Sequence, residues 1–316
     1  MIVGKKKRKT KGVSSVFYNV VNDIRKNPSL YLMILPVIIF YLLFCYKPMY
    51  GILMAFQEYK PIKGVWGSNW VGLKHFKTFF NDVYFERILR NTLRISISSL
   101  LFSFPAPIIL ALLLNEVKNL HFKKTVQTIT YLPHFISLVV VCGLVKIFTK
   151  DTGLINQLLG MVGLECGTML AQPQYFTAIY VISGIWQHVG WDSIIYLSAL
   201  SAVDQELYEA AKIDGAGRWR LVFNITLPSI LPTIVIMLIL RIGSLLSIGS
   251  EKVLLLYNQG IYETADIIST YVYRKGLQEY NWSYSTAVGL FNTLVNFILL
   301  TLANKASKKL TESSLW

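Results

Sequence analysis

The sequence predicts an all-α integral membrane protein with about six transmembrane helices. Of its 316 residues, 53% are hydrophobic and only 15% are charged, whereas a soluble domain carries roughly a quarter charged residues. The apolar residues are grouped into runs that approach the roughly 20 residues needed to cross a bilayer. The clearest run, residues 285–303, contains no charged side chain. Lipid is therefore the main solvent that this composition favours.

The apolar runs divide the chain into three parts. A basic segment (1–28) precedes the transmembrane domain (29–304), and a short basic tail (305–316) follows it. Polar connections separate the runs, and the longest two are expected on one side of the membrane, after the first and fifth spans. The predicted spans cover about residues 30–46, 92–114, 126–148, 176–200, 228–248 and 284–302.

The net charge of +14 is concentrated at the borders of these spans. Eight of the 31 basic residues precede the first span, and three follow the last one. Basic residues beside spans mark the cytoplasmic side and attract anionic lipid. This pattern predicts cytoplasmic termini and argues against nucleic-acid binding. The connection 47–90, with seven basic residues, departs from the bias, but long loops translocate largely regardless of charge.

The connection between the fourth and fifth spans, residues 201–227, predicts two short helices on the cytoplasmic side. Asp204 is a suitable N-cap for a helix over residues 204–213. Asp214 and Gly215 form a strong turn signal. A second helix, about residues 216–224, then leads into the fifth span. The result is a helix–turn–helix across the ends of the spans.

Residues 209–232 resemble the EAA loop of binding-protein-dependent ABC importer permeases, with eleven positions at the family's spacing. In that family, a coupling helix in this loop sits in a cleft of the ATPase subunit and transmits nucleotide-driven closure. By this resemblance, the residues in contact with the ATPase are Glu209, Ala210, Ala211, Asp214 and Gly215. The other matching positions are Ala216, Phe223, Ile225, Leu227, Pro228 and Pro232.

The resemblance extends over about residues 30–310 and implies the type I ABC importer permease fold. It looks closest to the carbohydrate-uptake branch, among permeases for oligosaccharides and complex polysaccharides. The implied partners are a second, different permease subunit in a heterodimer, a cytoplasmic ATPase dimer and an extracellular solute-binding protein. The implied location is the bacterial plasma membrane. ATP and Mg are expected on the ATPase, since this chain lacks a GxxxxGK[ST] loop. No catalytic residue, cofactor or metal site is expected here.

The fourth span combines aromatic and polar side chains, as sugar-binding sites do. Trp186 stands 23 residues before Glu209, and by that offset it resembles the place where maltose-type permeases line their cavity. Interfacial anchoring or helix packing is the alternative role for the tryptophans, and a polar contact between helices is the alternative for His188. Ionised groups within spans usually face a protein interior. The candidate residues of this span are Trp186, Gln187, His188, Trp191 and Asp192.

The fifth span contains a further candidate, Arg241, with Ser244 one turn beyond it. An arginine in mid-membrane costs about 2.5–3.5 kcal/mol on insertion scales, so it needs a partner, water or substrate. We hypothesise that Arg241 binds a polar or anionic group of a sugar, such as a uronate carboxylate. An ion pair with Asp192 or Glu251 is the alternative.

The sequence therefore favours a permease subunit of an ATP-driven importer for oligosaccharides, with acidic, uronate-containing sugars as candidates. An ABC permease for another solute, such as an amino acid or phosphate, is the first alternative. A secondary transporter or membrane enzyme is the second, and the loop at Glu209 argues against it. Copurification with an ATPase and uptake of a solute panel distinguish the three.

Overall fold

A computed structural model describes residues 23, 25–164, 166–311 and 314–315. Most of the predicted basic segment lies outside the described residues. The chain divides into two compact units, one up to Leu53 and one from Met54 onward.

The first unit contains the predicted first span. Helix α1 (Pro28–Phe40) begins with a proline at its first position, where no helical N–H is needed. Beyond Phe40 the chain continues as a π-helix (Tyr41–Tyr46) and then as a 3-10 helix (Lys47–Phe56). The whole apolar helical segment therefore covers Pro28–Phe56. None of the α1 side chains is buried, and Met33 is 79% exposed. Apolar side chains at this exposure are suited to lipid or another subunit.

The second unit opens with a small hairpin and two short helices. Strand β1 (Gln57–Glu58) pairs antiparallel with β2 (Asn69–Trp70), and helix α2 (Gly64–Gly67) lies between them. Helix α3 (Lys74–Phe80) follows and buries Phe79 in an aromatic cluster. Residues 57–80 of the predicted connection thus form a packed structure.

The second span is made of α4 (Phe85–Ser103) and α5 (Pro105–Glu116), which together cover 32 residues. A new helix starts at Pro105, as expected where proline removes a backbone donor. Helix α4 begins at Phe85, earlier than the predicted start at 92. Its first turns carry Arg87 and Asn91, which bond to a later part of the chain.

The third predicted span is broken. Helices α6 (Leu120–Tyr131) and α7 (Leu138–Phe148) meet at 101°. Pro133 lies in the short turn between them and cannot donate a helical hydrogen bond. The side chain of Ser137 then caps α7 by accepting from the Val140 N–H. Hydropathy alone predicted one span over about residues 126–148, because the residues on both sides of the break are apolar.

Helix α8 (Leu154–Gly160) and then α9 (Phe176–Ser201) follow. With 26 residues, α9 is about 39 Å long, which is enough to cross a bilayer. It contacts α4, α5, α6 and α12, so it is the central helix of this unit.

The predicted helix–turn–helix is confirmed. Helix α10 (Gln205–Ile213) is capped by Asp204, whose carboxylate accepts from the Glu206 N–H at 3.0 Å. Gly215 follows with a φ of +77°, a left-handed conformation that glycine adopts without strain. Helix α11 (Arg218–Leu221) then runs through a wider turn into α12 (Leu227–Gly243).

The connection predicted after the fifth span, residues 251–283, forms short helices that pack into the core. It contains α13 (Ser250–Leu256), α14 (Tyr262–Ala265) and α15 (Ile268–Tyr273), and the long helix α16 (Trp282–Thr311) follows. The side chains of this segment that pack fully inside include Val253, Ile261, Ala265 and Ile267, all 0% exposed.

Within the described residues, four helical segments are long and apolar enough to cross a membrane, or five if the bent pair counts as one. Helix α9 is long enough but has polar side chains at its middle, which lower its hydropathy. The prediction of an all-α membrane protein is confirmed, with a two-stranded hairpin as its one departure in the described part.

Candidate functional site: a cavity between helices and an exposed loop

A cavity of about 920 Å³ lies among the long helices of the second unit. Its wall is formed mainly by α4, α9, α12 and α13, with one residue each from α5 and α7. Small-molecule sites typically occupy roughly 300–1,000 Å³. The cavity therefore has room for a ligand of that size.

Helix α9 supplies one wall. His188, Trp191 and Asp192 lie three and four residues apart and line the cavity together, as the spacing of a helix face requires. Gln187 is 4% exposed and donates to the Ile136 carbonyl at 3.4 Å instead. Trp186 is 46% exposed and does not line the cavity. The predicted candidates of this span are thus divided between two faces of the helix.

Helix α12 contributes a positively charged side chain to the cavity wall, whereas α9 contributes the carboxylate of Asp192. Arg241 and Ser244 both line the cavity, as the sequence predicts. The Ser244 hydroxyl donates to the carbonyl of Arg241 at 3.2 Å, which ends the helix there. Among the described residues, the ion pairs within 4.0 Å involve Asp266 and Glu279 but not Arg241. The alternative ion pair with Asp192 or Glu251 is not formed in this structure, although both carboxylates line the same cavity.

Rows of serine hydroxyls complete the wall. Ser96, Ser99 and Ser103 of α4 are spaced three and four residues apart and line the cavity. Ser247, in the link between α12 and α13, and Ser250, at the start of α13, also line the cavity. Hydroxyl groups both donate and accept hydrogen bonds, so this wall suits a polyhydroxylated ligand. The three- and four-residue spacing of the α4 serines, which sequence analysis missed, is visible in the sequence and indicates that they share one face of the helix.

His134, in the break between α6 and α7, is a second residue that sequence analysis missed. Its ring stacks on Trp191 with centroids 4.4 Å apart and an angle of 2°. Its Nδ1 lies 3.3 Å from Nδ1 of His188. The break thus braces two cavity residues of α9, and the available signal was Pro133, which precedes His134.

Lys252 is the third missed residue. It belongs to the segment that was predicted as an outer loop, yet it lines the cavity and is only 8% exposed. A lysine outside the spans gave no sign of burial in the sequence.

The predicted coupling residues lie in the last turns of α10 and in the turn that follows it. The backbone N–H groups of Asp214 and Gly215 donate to the carbonyls of Ala210 and Lys212, which closes the helix end. Glu209 and Asp214 are exposed, and Ala211 is half-buried. The helix is fastened by Tyr208, whose hydroxyl donates to Thr226 at 3.1 Å.

Large apolar side chains on this loop are exposed. Leu207, Ile213, Trp219 and Phe223, which we call the loop patch, are 51%, 87%, 77% and 59% exposed. The rings of Trp219 and Phe223 stack with centroids 6.2 Å apart. Clustered exposed apolar groups mark sites of protein contact. These exposed side chains are available for contact with another protein or with lipid.

The chain is similar in sequence to known transport proteins. The family model described as the binding-protein-dependent transport system inner membrane component matches residues 103–311. The chain is 50% identical over 288 residues to the polygalacturonan/rhamnogalacturonan transport system permease protein YteP of Bacillus subtilis, covering 91% of this chain and 90% of that protein. It is 46% identical over 294 residues to protein LplB of the same organism, covering 93% and 92%.

Solved structures are also similar. A bacterial ABC transporter involved in the import of the acidic polysaccharide alginate contains a chain that is 46% identical, with a TM-score of 0.86. The alignment covers 93% of this chain and 99% of that one. The alginate transporter solved with an alginate pentasaccharide-bound periplasmic protein gives 45% identity, the same TM-score and the same coverage.

Proposed function

The chain belongs to the family of binding-protein-dependent transport system inner membrane components, and we propose that it imports acidic, uronate-containing oligosaccharides as one permease subunit of an ABC importer. The main support for an acidic substrate is Arg241, which lines the cavity and has no carboxylate within ion-pair distance among the described residues. The serine rows around it suit sugar hydroxyls. One similar protein is named for polygalacturonan/rhamnogalacturonan transport, and the similar solved structures are of a transporter that imports the acidic polysaccharide alginate.

The proposed function requires three further components. We propose that the turn at Gly215 and the loop patch bind a separate ATPase dimer, which holds ATP and Mg. A second, different permease subunit completes the translocation path, and an extracellular solute-binding protein delivers the sugar. The basic residues beside the spans support cytoplasmic termini. The exposed side chains of α10 would be available to an ATPase on that side.

Uptake by the assembled transporter tests the substrate. Liposomes that contain this chain with its companion permease and ATPase, with binding protein outside and ATP inside, are expected to accumulate a trigalacturonate. The methyl ester of the same trisaccharide, an amino acid and phosphate serve as comparisons. Accumulation of the amino acid or phosphate in place of the acidic sugar would contradict the proposal.

Arg241→Gln is expected to weaken transport of the acidic sugar selectively. A hydrogen bond to a charged group contributes about 1.5–3 kcal/mol, so the KM for trigalacturonate should rise by about 10- to 150-fold. The KM for the methyl ester should change little. Arg90→Gln is the matched control, because Arg90 is exposed on α4 and does not line the cavity. Equal loss for both sugars would contradict a carboxylate contact.

Gly215→Val is expected to uncouple transport from ATP hydrolysis. The φ of +77° at this position strains a β-branched residue by about 1–3 kcal/mol, or about 5- to 150-fold in an equilibrium constant. ATPase stimulation by loaded binding protein should fall accordingly. Gly215→Asn is the control, because asparagine tolerates this conformation. Normal stimulation in Gly215→Val would argue against a coupling role for the turn.

A further inference from the structure

Lys252 occupies an unusual position for a cationic side chain. It lies in the first turn of α13 and is 8% exposed, yet it forms part of the cavity wall. Fully buried lysines are rare unless they are paired. Its partners therefore decide whether it has a structural or a binding role.

The protein provides the Lys252 ammonium group with fewer hydrogen-bond acceptors than it has donors. Its Nζ donates to the Tyr180 carbonyl at 2.9 Å and lies 4.7 Å from the centre of the Tyr180 ring. A Cβ added at Gly184 would lie 3.2 Å from Nζ, so the glycine leaves room for the charge. An ammonium has three donors. Two of them have no hydrogen-bond acceptor among the described residues.

The charged groups around the cavity do not neutralise Lys252 directly. Asp192 and Glu251 line the same cavity. Neither approaches Lys252 within 4.0 Å, since the ion pairs of the described chain involve only Asp266 and Glu279. The other ionisable groups on the wall are Arg241, His188, Tyr180 and Tyr196. A buried cation without an anion is costly, and a cavity is the place where a ligand can supply one.

We propose that Lys252 binds a carboxylate of the transported oligosaccharide as it occupies the cavity. The inference rests on the proposed function and adds a second cation to it. Arg241 and Lys252 come from different elements, the end of α12 and the start of α13. The cavity thus presents two separate cations to a sugar chain that carries a carboxylate on each residue. A neutral sugar of the same shape can accept hydrogen bonds from both groups but brings no negative charge to either cation.

The test compares one acidic sugar with its neutral form in the assembled transporter. Trigalacturonate and its methyl ester are offered to liposomes that contain wild type, Lys252→Met or Lys252→Arg. Lys252→Met is expected to lower the preference for the acid over the ester by about 10-fold or more, the loss of one charge-assisted contact. Lys252→Arg retains the charge and should keep most of the preference.

Lys146→Met is the matched control. Lys146 lies on α7, is exposed and does not line the cavity, so its removal deletes the same charge elsewhere. This variant should transport both sugars as wild type does. A change in preference equal to that of Lys252→Met would overturn the proposal, since net charge alone would then explain it.

Thermal unfolding in detergent separates a binding role from a structural one. Lys252→Met replaces a buried charge by an apolar chain of similar length, so its Tm should equal or exceed that of wild type. A lower Tm with equal loss of both sugars would assign Lys252 to structure and overturn the inference. Transport of trigalacturonate with an unchanged preference in Lys252→Met would overturn the inference alone. Import of neither sugar by wild type would overturn the proposed function as well.

Discussion

Asp266→Asn is expected to destabilise the protein more than any other single change considered for it. The Asp266 side chain is 0% exposed and bonds to both nitrogens of the Arg274 fork, at 2.7 and 3.2 Å. Arg87 of α4 donates to the same carboxylate at 3.2 Å. Removing one member of a buried ion pair costs about 3–5 kcal/mol. The Tm and the yield of folded protein in detergent should both fall sharply.

The cause is the pair of half-buried guanidinium groups that would lose their counter-ion. Burial works against the charge of Arg274, but its hydrogen bonds to Asp266 and the charge of that carboxylate outweigh burial and raise the pKa of Arg274. Thr270 also donates to Asp266, at 2.9 Å. This cluster joins α4 to the segment between α14 and α16.

Glu279→Gln is the control for Asp266→Asn. Glu279 pairs with Lys275 at 2.6 Å, but its side chain is 46% exposed. Exposed pairs at this spacing contribute about 0.3–0.5 kcal/mol, so the Tm should hardly move. If Asp266→Asn unfolded at the same temperature as Glu279→Gln, the cluster would have no structural role.

Gly190→Ala is expected to abolish uptake, because α9 and α6 touch through their backbones at this point. A Cβ at Gly190 would lie 2.2 Å from the carbonyl oxygen of Thr130. A side chain could rotate away, but a helix backbone has to move as a whole. Overpacking typically costs about 1–3 kcal/mol, and close backbone approach should place this change at the upper end. Trp191 and its stack on His134 would shift with the helix.

Transport of trigalacturonate and Tm measure the effect of Gly190→Ala. Gly143→Ala is the control, since a Cβ at that position of α7 meets nothing within 4 Å. Alanine also favours a helix over glycine by about 1 kcal/mol, so Gly143→Ala should be neutral or stabilising. Wild-type uptake in Gly190→Ala would mean that the two helices can separate without consequence for the cavity.

The parts of the fold that depend on local pattern could be predicted from the sequence. The apolar runs gave the long helices, and a capping aspartate with a glycine turn gave the loop after α9. Cavity residues on α9 and α12 were found because a polar group inside an apolar run needs a partner.

The remaining features depend on contacts between distant residues. The packing of segment 251–283 could not be predicted, because its helices are short and polar residues interrupt them. Lys252 resembles a solvent-exposed residue until its neighbours, such as Tyr180, are known. Asp266 and Arg87 are 179 positions apart, and no local pattern relates them. The 101° break had a local signal, Pro133, but apolar residues on both sides obscured it.

The loop patch has a consequence for the production of this subunit. Leu207, Ile213, Trp219 and Phe223 are exposed in the single chain. Under the proposed function an ATPase covers them, so a copy made in excess of that ATPase keeps these apolar side chains uncovered, and such surfaces promote aggregation and proteolysis. We therefore expect the amount of this chain in the membrane to follow the supply of the ATPase.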